Sequence, residues 1–217
     1  MDDTEHSFAH VTRTAEKAAE ILSVLGYDEH TIDLARVAGY LHDVGNLVNR
    51  VGHSFSGAII AFRLLEHKGV AAEDIAMIVS AIGNHDEGTG VPVNALAAAL
   101  ILADKSDVRR SRVRNRDFAT FDIHDRVNYS VTSASLTVNE AHTEIDLALE
   151  IDTAISPVMD YFEIFLDRMV LCRKAAERLG LQFKLPTTSV PRQSKKFGKS
   201  KRFWIVNKHH YTRRKIR

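Results

Sequence analysis

Residues Leu34 to Gly45 read Leu-Ala-Arg-Val-Ala-Gly-Tyr-Leu-His-Asp-Val-Gly, and in them the apolar Leu34, Ala38 and Leu41 line up with His42 at helical spacing. An inward-facing helical stripe therefore ends in a histidine followed by an aspartate, Asp43. The dipeptide alone is a weak signal, because His-Asp occurs three times, at 42, 85 and 124. Its position is the stronger one, because four other stripes begin or end in the same way. His10 is in register with Thr14, Ala18, Ile21 and Leu25, and His53 leads Gly57, Ile60 and Leu64. His85 closes the row Ile75, Ile78 and Ile82, and Asp104 closes Val93, Ala97 and Leu100. A buried imidazole or carboxylate without a partner is costly, so several that converge from separate helices need a shared neutraliser. A divalent cation supplies one.

Working outward, helices are expected from Thr4 to Leu25 with Gly26 as the stop, and from the N-cap Asp28 to about Asp43. Three more are expected from Ser54 to His67, from Ala72 to His85, and from Pro92 to Ser106 with the proline in the first turn. Beyond an irregular stretch, Arg126 to Val138 and Thr143 to Ile151 alternate apolar and polar residues around the turn Asn139 to His142, the pattern of a β-hairpin. Ser156-Pro157 then opens an amphipathic helix reaching Leu179, and Leu181 to Leu185 can return as a strand. The expected fold is mainly α: a domain of about five core helices over 1–125, a β-β-α-β appendage over 126–185, and a basic tail over 186–217.

The chain has 217 residues, 45% of them hydrophobic, enough for one sizeable core. The single Cys172 excludes an intramolecular disulfide and a cysteine-rich zinc site. The acidic start Met1-Asp2-Asp3 does not read as a signal peptide, and the apolar run Ala95 to Ala103 is far shorter than the roughly 20 residues of a membrane span. A cytoplasmic protein without membrane partners is expected. The near-neutral net charge hides an asymmetry: Lys184 to Arg217 holds 12 of the 29 Lys and Arg and no acid, leaving 17 bases against all 28 acids in the rest. Such a block reads as a mobile solvated tail. Its interleaved Phe197, Phe203, Trp204 and Tyr211 leave open a track for nucleic acid. A second basic run, Lys105, Arg109, Arg110, Arg112, Arg114 and Arg116, follows Asp104. It reads either as a solvated helix end complementing the dipole or as a phosphate-binding rim.

These elements together resemble the HD superfamily of metal-dependent phosphohydrolases over roughly Phe8 to Arg116. His10-Val-Thr-Arg13 is similar to the first-helix HxxR element, and Leu41-His42-Asp43-Val44-Gly45 to the LHDIG signature. His53-Ser-Phe-Ser-Gly57-Ala58 resembles the histidine-led helix start, Asn84-His85-Asp86-Glu87 the second histidine element, and Ala103-Asp104-Lys105 the distal aspartate. In spacing the chain is closest to HD-type diadenosine polyphosphate hydrolases and the catalytic domain of ribonuclease Y. It departs from other members: Asn46 stands where many have Lys, Asp86 replaces a second His, and Gly88 to Pro92 lacks the tyrosine of the GYP element. The missing tyrosine, together with the lack of a Glu-Asp pair after the His42-Asp43 helix such as alarmone hydrolases have, makes cyclic-di-GMP and ppGpp weaker expectations as substrates.

The resemblance implies two divalent transition-metal ions, with His10, His42 and Asp104 on one, His53 and His85 on the other, and Asp43 bridging. Imidazole and carboxylate ligands suit Fe, Mn, Co, Ni or Zn, and suit Mg less well. The expected activity is hydrolysis of a phosphoester or phosphoanhydride in a nucleotide-like substrate by metal-activated water. Lys105, Arg109 and Arg110 are the expected phosphate-binding cations, and Asp86 or Glu87 the expected general acid. Two other readings stay open: a ribonuclease or single-strand nuclease using the basic segments, and a catalytically silent module that senses a nucleotide.

Overall fold

The computed structural model describes residues 8–108, 110, 113, 120–190 and 201–203. Helix α1 spans Phe8–Val24, and its end is closed by backbone bonds from Gly26 and Tyr27 to Ser23 and Leu22. Gly26 sits at φ 81°, the left-handed conformation that lets the chain reverse into α2 without a Cβ clash. Helix α2, Glu29–Leu41, starts where Asp28 accepts the Thr31 N–H at 2.9 Å, as its residue type predicts. Its cross-over with α1 depends on Gly39, where an added Cβ would fall 2.4 Å from the Ala15 Cα. After α2 the chain tightens into a 3-10 turn, Val44–Leu47, then enters α3, His53–His67, and α4, Ala72–Gly83.

Helix α5, Ala95–Ser106, is the axis of the bundle: every residue from Leu96 to Lys105 is buried, and α1, α2, α4 and α7 pack around it. It starts three residues later than Pro92 suggests. Asn94 is fully extended and its side chain accepts the Ala97 N–H at 2.8 Å while donating to Ser80 Oγ at 3.0 Å. That cap fixes the first turn and leaves Pro92 in the preceding loop. The buried row of α3 is also displaced from the expected one. Gly57, Ala58, Ala61 and Leu65 face inward while Leu64 is exposed, and the row passes through Gly57 because α3 presses on the 3-10 turn there.

The largest departure is Arg126 to Ser130, expected as strand and found in helix α6, Ile123–Ser130. Asp122 caps it by accepting the Asp125 N–H at 2.7 Å, and Val127 faces the core. An alternation a few residues long cannot outweigh a satisfied helix start. Strand β1 then covers Val131–Val138 and pairs antiparallel with β2, Glu144–Asp152, through a turn in which His142 takes φ 52°. Ile145, Leu147, Leu149 and Ile151 alternate into the core, as the sequence predicts. Helix α7, Val158–Arg178, returns the chain, and β3, Gln182–Lys184, lies parallel to β2.

The sheet continues into the stretch expected as tail. Strand β4, Thr187–Val190, runs parallel along the same edge of β2, and β5, Lys201–Phe203, pairs antiparallel with β4. The remainder of the expected tail, including Phe197, Trp204 and Tyr211, lies outside the described residues. Helices and sheet share one continuous hydrophobic cluster, so the appendage is packed onto the bundle through α5 and α7. Among the described residues no helix is long and apolar enough to cross a membrane.

Candidate metal centre

Each of the six predicted ligands is delivered by a different local device, and all six are buried. His10 is on the first turns of α1, His42 caps α2, and Asp43 begins the 3-10 turn. His53 is the first residue of α3, His85 follows α4 by two residues, and Asp104 is in the last turn of α5. The glycine after His42-Asp43 makes their convergence sterically allowed. A Cβ on Gly45 would lie 1.9 Å from the His53 carbonyl oxygen and 2.6 Å from the Gly57 nitrogen. Only glycine lets the start of α3 lie against the Asp43 turn.

The distances define one cluster. His10 Nε2 lies 3.2 Å from Asp104 Oδ1 and 3.8 Å from Asp43 Oδ2, and His42 Nε2 lies 3.5 Å from Asp43 Oδ2 and 3.7 Å from Asp104 Oδ1. On the other side, His53 Nε2 is 3.5 Å from Asp43 Oδ1 and 3.1 Å from His85 Nε2. Ligand atoms of His10, His42 and Asp104 fall within 4.8 Å of one another, as do those of His42, Asp43 and His85. His53 adjoins the second group through both Asp43 and His85. The imidazoles form a file, with ring centroids 5.2, 5.1 and 5.0 Å apart from His10 through His42 and His85 to His53.

Hydrogen bonds behind the rings fix their tautomers. The Nδ1 of His42, His85 and His53 donates to the carbonyls of Gly39 at 2.7 Å, Ile82 at 2.6 Å and Arg50 at 3.1 Å. Every Nε2 lone pair is thereby turned inward. Burial keeps these rings neutral: it pushes His85 down to about 3, assisted by His42 and Lys105, and it lowers His42 against the pull of Asp43 and Asp104. His53 is lowered by burial and then by the Arg50 guanidinium.

A cation fits this donor set on two observations. His42 Nε2 is fully buried with no hydrogen-bond partner among the described residues. The His53 and His85 lone pairs face each other at 3.1 Å with no proton left to share. A cation held by both nitrogens would relieve that repulsion. Behind His10, Asp107 takes the Nδ1 proton at 2.7 Å, the carboxylate–histidine pairing that orients a metal-binding ring. Asp107 is a residue beside the candidate ligands that sequence reasoning missed, although its place three residues after Asp104, just past the end of α5, could have marked it. A cleft of about 400 Å³ lined by Arg13, Lys17, Ser106 and Asp107 opens beside that carboxylate.

The model of the HD domain family matches residues 7–119, just over half of the chain. The chain belongs to the HD domain family. The match spans all six ligands. An HD-family assignment carries metal-dependent hydrolase chemistry in general terms and fixes neither substrate nor metal. Among curated proteins the chain is similar to Uncharacterized protein MJ1020 of Methanocaldococcus jannaschii, 26% identical over 183 residues, covering 74% of this chain and 68% of the relative. That name assigns the relative no activity.

The cations and acids expected around the HD centre are placed differently from the expectation. Lys105 does not reach a pocket rim: it is 4% exposed, with its ammonium 2.7 Å from Asp104 Oδ2 and 2.6 Å from Glu87 Oε2. Burial opposes its charge, but Asp104 and Glu87 outweigh burial and hold it protonated. Glu87 also receives Arg168 from α7, at 2.9 and 3.0 Å to Oε1. Burial would raise the Glu87 carboxyl, yet Lys105 and then Arg168 hold it well below the ordinary range, so it carries no proton to donate near neutrality. Asp104 is likewise held well down, by Lys105 and the two histidines against burial. Arg168 had no sequence signal, being 64 residues from Asp104 on a helix assigned to the appendage.

Arg110 also points elsewhere. Its Nε donates to the Tyr129 carbonyl at 2.7 Å, its guanidinium stacks 4.5 Å from the Tyr129 ring centroid, and Asp152 lies 3.9 Å away. It ties the end of the α5 segment to the appendage. Arg109 lies outside the described residues. Asp86 is half-buried beside His85, with its carbonyl accepting the Gly90 N–H at 2.6 Å.

Proposed function

We propose that this chain hydrolyses a phosphoester or phosphoanhydride bond of a nucleotide-like substrate, using two divalent transition-metal ions shared by Asp43. The observation that carries this reading is the division of the Asp43 carboxylate, whose Oδ2 faces His10 and His42 while Oδ1 faces His53. His10, His42 and Asp104 would hold one ion and His53 and His85 the other. When bound, such ions polarise a phosphoryl oxygen and lower the pKa of a coordinated water toward neutrality.

The protein's own part is to hold that arrangement rigid. Carbonyls of Gly39, Ile82 and Arg50 pin three rings, and Asp107 pins the fourth. Burial keeps the imidazoles in the neutral form that binds metal at neutral pH. Lys105, Glu87 and Arg168 brace Asp104 from behind, so the candidate for proton delivery to the leaving group is Asp86. Fe, Mn, Co, Ni and Zn suit the donor set.

The test is a hydrolysis screen of Mn²⁺-loaded protein against bis-p-nitrophenyl phosphate, nucleoside mono- and triphosphates, dinucleoside polyphosphates and single-stranded oligoribonucleotides. Turnover that disappears in Asp43→Ala supports the proposal. Preference for oligonucleotides over mononucleotides would redirect it to a nuclease using the basic C-terminal residues as a track, and tight nucleotide binding without turnover would redirect it to a sensor.

A further inference from the structure

The loop that enters α3 sets a cation over the second half of the centre. Arg50 Nη1 lies 3.1 Å from His53 Nε2 and 3.3 Å from its Nδ1. Nearly equal distances to the two ring nitrogens place the guanidinium against the face of the imidazole, outside the ring plane in which the lone pair lies on Nε2. That is the nitrogen which faces His85 Nε2 at 3.1 Å and Asp43 Oδ1 at 3.5 Å. Arg50 is exposed, and among the described residues no carboxylate comes within ion-pair distance of it. An exposed cation beside the candidate metal centre thus has a neutral imidazole as its neighbour.

An ion on His53 Nε2 and the guanidinium against the same ring carry like charge, so occupancy of that nitrogen by metal would drive the guanidinium outward. Its shoulder stays in place, because the Arg50 carbonyl accepts both the His53 backbone N–H at 3.3 Å and the ring Nδ1 at 3.1 Å. A guanidinium so displaced has a planar pair of N–H donors matched to two oxygens of a phosphate. We propose that Arg50 is a substrate-binding arm: it covers His53 in the metal-free chain and, once that site is filled, grips the non-bridging oxygens of the phosphate to be hydrolysed. This rests on the two-ion reading above. It also assigns to Arg50 the phosphate-binding role that Lys105 and Arg110 are not placed to fill.

The experiment is calorimetric titration of metal-free wild type, Arg50→Ala and Arg50→Lys with Mn²⁺, followed by titration of each Mn²⁺-loaded protein with inorganic phosphate. Arg50→Ala should bind the second Mn²⁺ about threefold or more tightly, since a repelling charge is gone, and should bind phosphate about tenfold more weakly. Arg50→Lys should keep part of the phosphate affinity, because the charge survives without the paired geometry. Unchanged phosphate affinity in Arg50→Ala, or a weaker second Mn²⁺, would overturn the arm. Wild type that takes two ions alongside such a result leaves the two-ion reading standing, whereas wild type that takes no Mn²⁺ overturns both.

Discussion

Replacing Glu87 by Gln separates a bracing role from a catalytic one. The substitution keeps the shape of the side chain and removes the charge that Lys105 approaches at 2.6 Å and Arg168 at 2.9 Å. Two cations would then be left in an interior where Lys105 is 5% and Arg168 19% exposed in their side chains, with Asp104 as the nearest compensating charge. Breaking a buried pair in this way costs about 3–5 kcal/mol, and the partial exposure of Glu87 places the expected value near the lower end, about 3 kcal/mol. For a chain of this size that lowers the melting temperature by about 6–12 °C. Differential scanning calorimetry with and without Mn²⁺ measures it, alongside steady-state kinetics on whichever substrate the screen identifies. The Arg168→Met change in the same background should cost much less than in wild type, because it removes one of the stranded cations. A general acid would behave otherwise, losing about 10²–10⁴ in kcat with its melting temperature intact. That second pattern would refute the brace.

Three further outcomes are expected. Below about pH 6.5 the unfolded chain protonates histidines that the folded chain keeps neutral, His85 down to about pH 3, so the metal-free protein should be flat in stability above pH 6.5 and lose it progressively on acidification; a melting temperature that rises between pH 6.5 and 5 contradicts this. Asp107→Asn should weaken metal binding by about 10- to 100-fold with little change in the circular dichroism spectrum, since it disturbs only the orientation and basicity of His10, and equilibrium dialysis with unchanged affinity would count against it. Ending the chain after Leu185 strips β4 from the edge of β2 and should lower the melting temperature more than ending it after Phe203, which keeps both added strands; equal values would show that β4 adds nothing.

The helical half of the fold was legible because its signals are local and redundant. Asp28 and Gly26 punctuate α1 and α2, and the stripes ending in His10, His42, His85 and Asp104 point where the sequence says. What failed was decided by contacts that sequence spacing does not carry. Asn94 displaced Pro92 as the start of α5 by bonding to Ser80 of another helix. The α3 row shifted because Gly45 admits Gly57 to a distance no larger residue permits. Strands β4 and β5 lie in a stretch whose charge suggested solvation, yet pairing to β2 and to each other satisfies their backbone.

The centre was legible in its ligand types and not in its surroundings. Histidines and aspartates at the ends of apolar stripes announce themselves, because burying them needs a reason. Lys105, Arg110 and Glu87 were misplaced, since a charge beside a ligand in sequence says nothing about which way it turns. Lys105 turned inward because Glu87 and Asp104 offered it two carboxylates, and the third member of that network, Arg168, arrives from α7. Arg50 was passed over because an arginine in a loop carries no periodicity.

The central claim is that Asp43 joins two ion sites in one centre, and metal stoichiometry of variants tests it most directly. Inductively coupled plasma analysis of protein reconstituted with Mn²⁺ and freed of excess ion should give about two ions per wild-type chain and about one for His53→Ala. Asp43→Ala should retain essentially none, because each of its carboxylate oxygens faces a different group of histidines. One ion retained in Asp43→Ala, or equal loss in both variants, would contradict a bridging carboxylate and with it the proposed division of the ligands.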